Sequence, residues 1–312
     1  MPQTGLYSSL PDLIALRRAA RELPLFSTPQ RRSALLGLHH AHLRGRGIDF
    51  DQVRRYQPGD DVRNIDWRVT ARMQEPYTKL YHEERERPIY LLTEQSQQLF
   101  LGTSRQLLSV LAAEACALMG WSALGHHDRV GGLIFGDTCF REIRPRRSQQ
   151  GLLQLLHQLA TANQQLGPDG HPPEAGNRAS LVMALRRARE ILRPGSLAIV
   201  ICGERALDEQ AEQQCQLLGR HTDLLLLPLA DPLDHALPSA GLLPFTSPDG
   251  HSTLEIDTHN SALRLAYHQQ ALQRQQRWQQ LSLRLGAPLL PLETSRPALE
   301  QLQQHLLPGR RP

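Results

Sequence analysis

Lysine is nearly absent from this chain: of its 35 basic residues only Lys79 is a lysine, and the rest are arginine. Arginine favours planar, bidentate pairing with carboxylates, so the bias points to ion pairs of fixed geometry. The net charge of +4 over 312 residues permits an anionic partner but does not argue for one. Aromatic residues amount to 5%. The two arginine-rich runs, RPRR at 144–147 and QRQQRW around Arg274 and Arg277, have neither acid-free surroundings nor the interleaved aromatics on which bases stack. No nucleic-acid partner is expected. The four cysteines, Cys116, Cys139, Cys202 and Cys215, form no CxxC, which excludes a zinc knuckle. They read as free thiols of a reducing compartment. The opening MPQTGLYSSLPDL has no basic start followed by an apolar run, so no signal peptide is expected. No stretch reaches the ~18 apolar residues of a membrane span. The expectation is a cytoplasmic protein without an integral membrane segment. GxGxxG after a strand, GxxxxGK[ST], GxSxG and HExxH are all missing, so dinucleotide, nucleotide-hydrolysing, serine-hydrolase and zinc-protease chemistry lack their usual signatures.

What is present falls into two textures. Residues 10–23 read as a short helix with Pro11 at its start. Residues 44–87 then carry ten basic and nine acidic side chains; charge of alternating sign at this density predicts many ion pairs in extended and turn structure. From Pro88 apolar runs alternate with helical patterns. PIYLLTE, DRVGGLIFG, SLAIVIC and HTDLLLLPLAD are nearly continuous apolar strands, and TCFREI is an edge strand. Between and after them come helices over 104–125, SQQGLLQLLHQLA, SLVMALRRAREIL, ALDEQAEQQCQLLGR, a Gln/Arg-rich one over 259–285, and 297–307; 160–177 reads as an exposed, mobile loop. A polar segment with PDG, then STLEID, precedes the Gln/Arg-rich helix. This alternation predicts an α/β fold with a doubly wound, mostly parallel sheet, its strands buried on both faces. The domain boundary is expected at 87/88, with 1–87 an N-terminal helix plus extended, turn-rich region and 88–312 the α/β domain.

In such sheets the working site lies beyond the carboxyl ends of the strands. The residues to inspect are Glu94 to Gln98, Gly136 to Thr138, Gly203 with Glu204, and Asp231. Glu94 and Ser96 leave a strand end two residues apart and could offer oxygens to a hard cation, but Gly203 brings no side chain. His39, His40 and His42 lack ligand spacing, His126, His127 and His221 read as turn residues, and Cys202 reads as a buried, inert thiol. The densest cluster is YQPGDDVRNIDWRVTAR, residues 56–72. Asp60, Asp61 and Asp66 could form an acid-catalyst group, yet Arg54, Arg55, Arg63 and Arg68 flank them, and paired carboxylates titrate low. Ile65 and Trp67 are expected inside, with Val62 beside them. The segment reads as a rigid structural clasp that can double as a docking surface.

This same stretch resembles the signature of the domain-of-unknown-function 58 family, roughly Y-x-P-G-D-D-x-R-x-I-D-W-x-x-[ST]-A-R. The match runs through Tyr56, Pro58, Gly59, Asp60, Asp61, Arg63, Ile65, Asp66, Trp67 and Arg72. HEERERPIYLL, DRVGGLIFGD, PGSLAIVI, HTDLLLLPLADPLDHALP and STLEID resemble further blocks, over roughly residues 33–295. The resemblance implies a von Willebrand factor A-like domain. In that pattern D-x-S-x-S after the first strand holds a metal ion; here Glu94, Ser96 and Gln98 stand there, Cys202-Gly203 replaces the usual Ser-Asp, and Ser180 stands near an expected hydroxyl ligand. The resemblance also implies partnership with a MoxR-type AAA+ ATPase, and with other von Willebrand A-like or envelope proteins. The function expected is a non-enzymatic adaptor or assembly factor without a cofactor. Two alternatives stay open: a protein-binding domain dependent on a divalent ion such as Mg²⁺, and a hydrolase using Asp60, Asp61 and Asp66.

Overall fold

The computed structural model describes residues 5–23, 49–57, 60–82, 88–137, 139–167, 180–246 and 252–306. The expected 160–177 loop falls partly, and His39, His40, His42, Pro58, Gly59 and Thr138 wholly, outside them; the first residues of that loop, through Gln164, are helical instead. The chain forms two compact units: residues 1–38 with 87–312, and residues 39–86.

Helix α1 (Leu10–Ala20) starts where the sequence signals it. Ser9 and Asp12 form a capping box and Pro11 occupies the first turn. The domain boundary differs from the expected 87/88, because α1 belongs to the larger unit. Leu13 and Ala20 are buried in its core, and the Trp121 indole donates to the Leu13 carbonyl at 3.0 Å. An amphipathic helix this short needs such a surface to persist.

The smaller unit is a hairpin carrying one helix. Strand β1 (Asp49–Arg55) pairs antiparallel with β2 (Tyr77–His82), and α2 (Trp67–Met73) lies between them in sequence. Helix α2 ends on Gln74, a non-glycine in the left-handed region at φ 56°. A glycine there loses the Cβ penalty. Gln74→Gly is therefore expected to stabilise this helix by up to about 1 kcal/mol, read as slower amide exchange across Trp67–Met73.

The larger unit contains β3 (Pro88–Glu94), α3 (Leu108–Gly125), β4 (Arg129–Phe135), β5 (Phe140–Arg146), α4 (Gln149–Gln164), α5 (Leu181–Ile191), β6 (Leu197–Gly203), α6 (Glu209–Gly219), β7 (Asp223–Ala230), α7 (Pro232–His235), β8 (Leu242–Thr246), β9 (Thr253–Asp257), α8 (Ser261–Leu285), β10 (Leu292–Glu293) and α9 (Ala298–Leu306). Its six-stranded sheet runs β10-β7-β6-β3-β4-β5, parallel except for β5 at the edge. Side chains alternate across it: Ile89 and Leu91 join the layer of α1, α3, α4 and α9, while Tyr90 and Leu92 join that of α5, α6 and α8. This is the doubly wound architecture expected from the sequence. Helix α3 is buried on nearly every side and is long and apolar enough to cross a membrane, which the sequence reading had not counted. It begins at Leu108, later than expected, because the preceding loop is tied to β7 through Thr103 and Asp231. The segment expected to be polar holds strand β8, paired to β9 in a separate hairpin.

Candidate functional site

The sheet order reverses direction between β3 and β6. From β3 the chain crosses outward to β4, while β6 and β7 build on the other side. A crevice opens at such a switch point, outside the strand carboxyl ends. There the structure brings Glu94, at the end of β3, to Gly203, at the end of β6. One Glu94 carboxyl oxygen accepts from the Ser96 hydroxyl at 2.6 Å, and the other from the Gly203 N–H at 2.9 Å. Glu94 is buried. Burial pushes its pKa up, against the two hydrogen bonds that lower it, and nearby Asp137 adds to the rise. Asp137 in turn accepts from the Gln97 N–H at 2.5 Å. The Gln97 side-chain amide donates to the Gly167 carbonyl and accepts from the Gly167 N–H, and Gln95 is locked between the Ser109 carbonyl and Asn163.

This donor set suits a hard cation poorly. Such ions take six or more oxygens; here both Glu94 oxygens already accept internal hydrogen bonds, Gly203 contributes no side chain, and Gln98 points to solvent. Ser180 is exposed and caps α5. Among the described residues no group of three or more His, Cys, Asp or Glu side chains could hold a metal ion.

A second cluster sits beside the first, where β6 and β7 end. Asp231, expected to line this face, is fully buried. It accepts from the Thr103 N–H and hydroxyl, the Leu233 N–H and the Thr294 hydroxyl. Burial alone raises its pKa, but these bonds outweigh it and the net shift is downward. Buried Glu204 pairs with the His235 Nε2 at 3.2 Å, while Glu293 lies 3.9 Å from the other ring nitrogen. These carboxylates raise the histidine pKa. Asp234 binds Arg205 at 2.7 Å. Thr103, Thr294, His235 and Glu293 escaped the sequence reading. The one local signal was DPLDH after β7, whose Asp231 and Asp234 form a capping box.

The arginine-rich runs are partly spent on the protein itself: Arg274 donates to the Asp234 carbonyl and Arg277 pairs with Glu212. All four cysteines are free and buried. Burial pushes Cys116 and Cys215 to about 12 and Cys139 to about 11, and lifts Cys202 well above the usual thiol value; none is a nucleophile at neutral pH. His126 caps α3, and His127 takes a left-handed turn at φ 64°.

In the smaller unit the three aspartates have different local tasks. Asp60 accepts from the Gln57 N–H at 2.9 Å and pairs with Arg54 at 2.8 Å. Its pKa is lowered, chiefly by the Gln57 bond, which makes it a poor general acid. Asp61 caps the short turn Val62–Asn64, and Asp66 caps α2 through the Arg68 and Val69 N–H groups. The Tyr56 N–H donates to the Pro76 carbonyl, and half-buried Ile65 bridges to Thr78. Trp67 and Val62, expected inside, are instead 68% and 60% exposed, with Met73 at 54%. The cap at Asp66 makes Trp67 the first helical residue, and the short helix turns Val69 and Thr70 inward. Arg63, Arg68 and Arg72 are exposed beside these apolar groups.

The family model described as "Protein of unknown function DUF58" matches residues 52–277. The chain belongs to this family. Among curated proteins, the uncharacterized proteins Rv1480 of Mycobacterium tuberculosis and Mb1516 of Mycobacterium bovis are each 28% identical to it over 296 residues, spanning 95% of this chain and 90% of theirs. Among solved structures, the conserved hypothetical protein BatB from Bacteroides thetaiotaomicron aligns over 70% of this chain and 97% of its own, at 11% identity and a TM-score of 0.43. The exposed Trp67 and its arginines thus lie inside the region that defines DUF58.

Proposed function

We propose that this DUF58 protein is a non-enzymatic adaptor that docks protein partners through its smaller unit, and that it works with a MoxR-type AAA+ ATPase. One observation carries the reading: Val62, Trp67 and Met73 stand exposed among Arg63, Arg68 and Arg72, while the aspartates of the same motif are engaged in caps and an ion pair. Trp and Arg are the residues most enriched at binding hot spots. A large apolar side chain kept in water gains nothing for the folded state. The ATPase partnership rests on the family resemblance, and the interaction surface itself on these residues. The strand-end crevice would add a second, metal-independent contact.

The test is a titration of the purified chain with a purified MoxR-type ATPase from the same organism. Trp67 reports it directly, since Trp121 and Trp278 are buried. Binding should shift the tryptophan emission to the blue. Measured by titration calorimetry, which needs no tryptophan reporter, Trp67→Ala should weaken binding by about 30-fold, as loss of a hot spot does, while stability stays within about 0.5 kcal/mol. Equal affinity for the two proteins would sink the docking surface.

A further inference from the structure

We propose that helix α8 is a self-association surface, on which a second copy of this chain docks its own α8 in the opposite direction. The helix has 25 residues, about 37 Å at 1.5 Å per residue. Its inward side is fixed by Ala271, Trp278 and Leu281, all buried. Its arginines also turn away from the outermost stripe and find partners on the body. Arg264 donates to the Thr258 carbonyl, Arg274 to the Asp234 carbonyl, and Arg277 and Arg284 both pair with Glu212. The stripe left facing solvent is Leu265, Gln269, Leu272, Gln276, Gln279 and Leu283, spaced by alternating steps of four and three. Leu265, Leu272 and Leu283 are 59%, 42% and 82% exposed.

This stripe carries no charge. Protein surfaces mix charges freely, whereas the centres of interfaces are depleted of them. A membrane-surface helix would show basic residues on its polar face, and a nucleic-acid surface would need positive charge; the outer face of α8 offers neither. The order of residues along the stripe points to the occupant. The six positions are arranged symmetrically about Arg274. When two copies run antiparallel, Leu265 of one meets Leu283 of the other, Gln269 meets Gln279, and Leu272 meets Gln276. That is the self-complementarity a two-fold interface requires. Glutamine both donates and accepts, so the Gln269–Gln279 pairs can satisfy one another. Two like-charged copies also meet where neither presents charge. A single helix pair lies at the small end of specific interfaces, so the dissociation constant is expected on the order of 10–100 μM.

Sedimentation equilibrium of the full chain across roughly 5–300 μM should show a monomer–dimer equilibrium. Leu272→Glu, near the symmetry centre, should weaken it at least tenfold while leaving the far-UV spectrum and melting temperature unchanged. Leu265→Cys and Leu283→Cys provide a second test that does not depend on that variant. A mixture of the two should cross-link under mild oxidation far more than either alone, and the native cysteines, being buried, do not compete. A chain that stays monomeric throughout the range overturns the proposal. So does a dimer that survives Leu272→Glu, or one in which Leu265→Cys links mainly to itself. Neither assay involves Trp67 or the ATPase, so failure here leaves the adaptor reading standing.

Discussion

Gly136→Ala is expected to destabilise the larger unit by more than about 4 kcal/mol, at the extreme of what one methyl group does. A Cβ at this position would lie 1.8 Å from the Gln95 carbonyl oxygen and 2.5 Å from its carbon. Both obstacles are backbone, so no rotamer change relieves them. Gln95 and Gly136 are the exits of β3 and β4, held together by the Gln95 N–H on the Phe135 carbonyl at 2.7 Å, while the Gly136 N–H is fixed within its own turn by the Cys139 carbonyl at 3.0 Å. Relief requires these exits to part, which would drag Glu94 and Ser96 from their hydrogen bonds in the crevice. Gly125→Ala is the control. Nothing lies within 4 Å of a Cβ there, and it ends a helix where alanine is favoured by up to about 1 kcal/mol. Chemical denaturation of the two variants should move in opposite directions. A Gly136→Ala midpoint within error of the parent would mean that the β3 and β4 exits part at little cost.

The same glycine shows what local sequence can reveal. DRVGGLIFG marks β4 plainly, because a strand buried on both faces must be apolar throughout. SLAIVIC and HTDLLLLPLAD are legible for the same reason. Strand order is not. That β6 docks against β3 rather than beyond β5 follows from which layers cover the sheet, and only this order brings Gly203 to Glu94. Hence the reading found the residues of the crevice but not their mutual hydrogen bonds. The smaller unit failed differently. Its hairpin was hidden by charge, and Trp67 was placed inside on the strength of its size. A unit of this length has little interior to offer, and the cap at Asp66 had already decided which way the helix faces. Helix α8 was recognisable as a helix from composition, but its charge-free stripe emerges only once the buried side is known.

Asp231→Ala should cost about 2–4 kcal/mol, since a hydrogen bond to a charged group contributes about 1.5–3 kcal/mol and a buried donor left without its acceptor costs about 1–3 kcal/mol. The carboxylate gathers donors from residues 103, 233 and 294, so it fastens the loop after β3, the start of α7 and the end of β10 to the tip of β7. Its partners are 128 and 63 residues away in sequence at the Thr103 and Thr294 contacts, which is why no local pattern announced it. Removing the carboxylate strands the buried Thr294 hydroxyl and releases the Thr103 N–H, whereas Asp231→Asn keeps the shape and loses less. The pH dependence has a definite sign. The folded-state pKa of Asp231 is lowered, so the unfolded chain binds the proton more tightly. The stabilisation is therefore complete above the unfolded value of about 3.9 and is lost as pH falls through the lower folded value. Unfolding of the parent between pH 7 and pH 3 should show a steeper acid loss than Asp231→Asn, which has no proton to take up there. Parallel acid profiles for the two proteins would show that Asp231 is not the group holding these segments together.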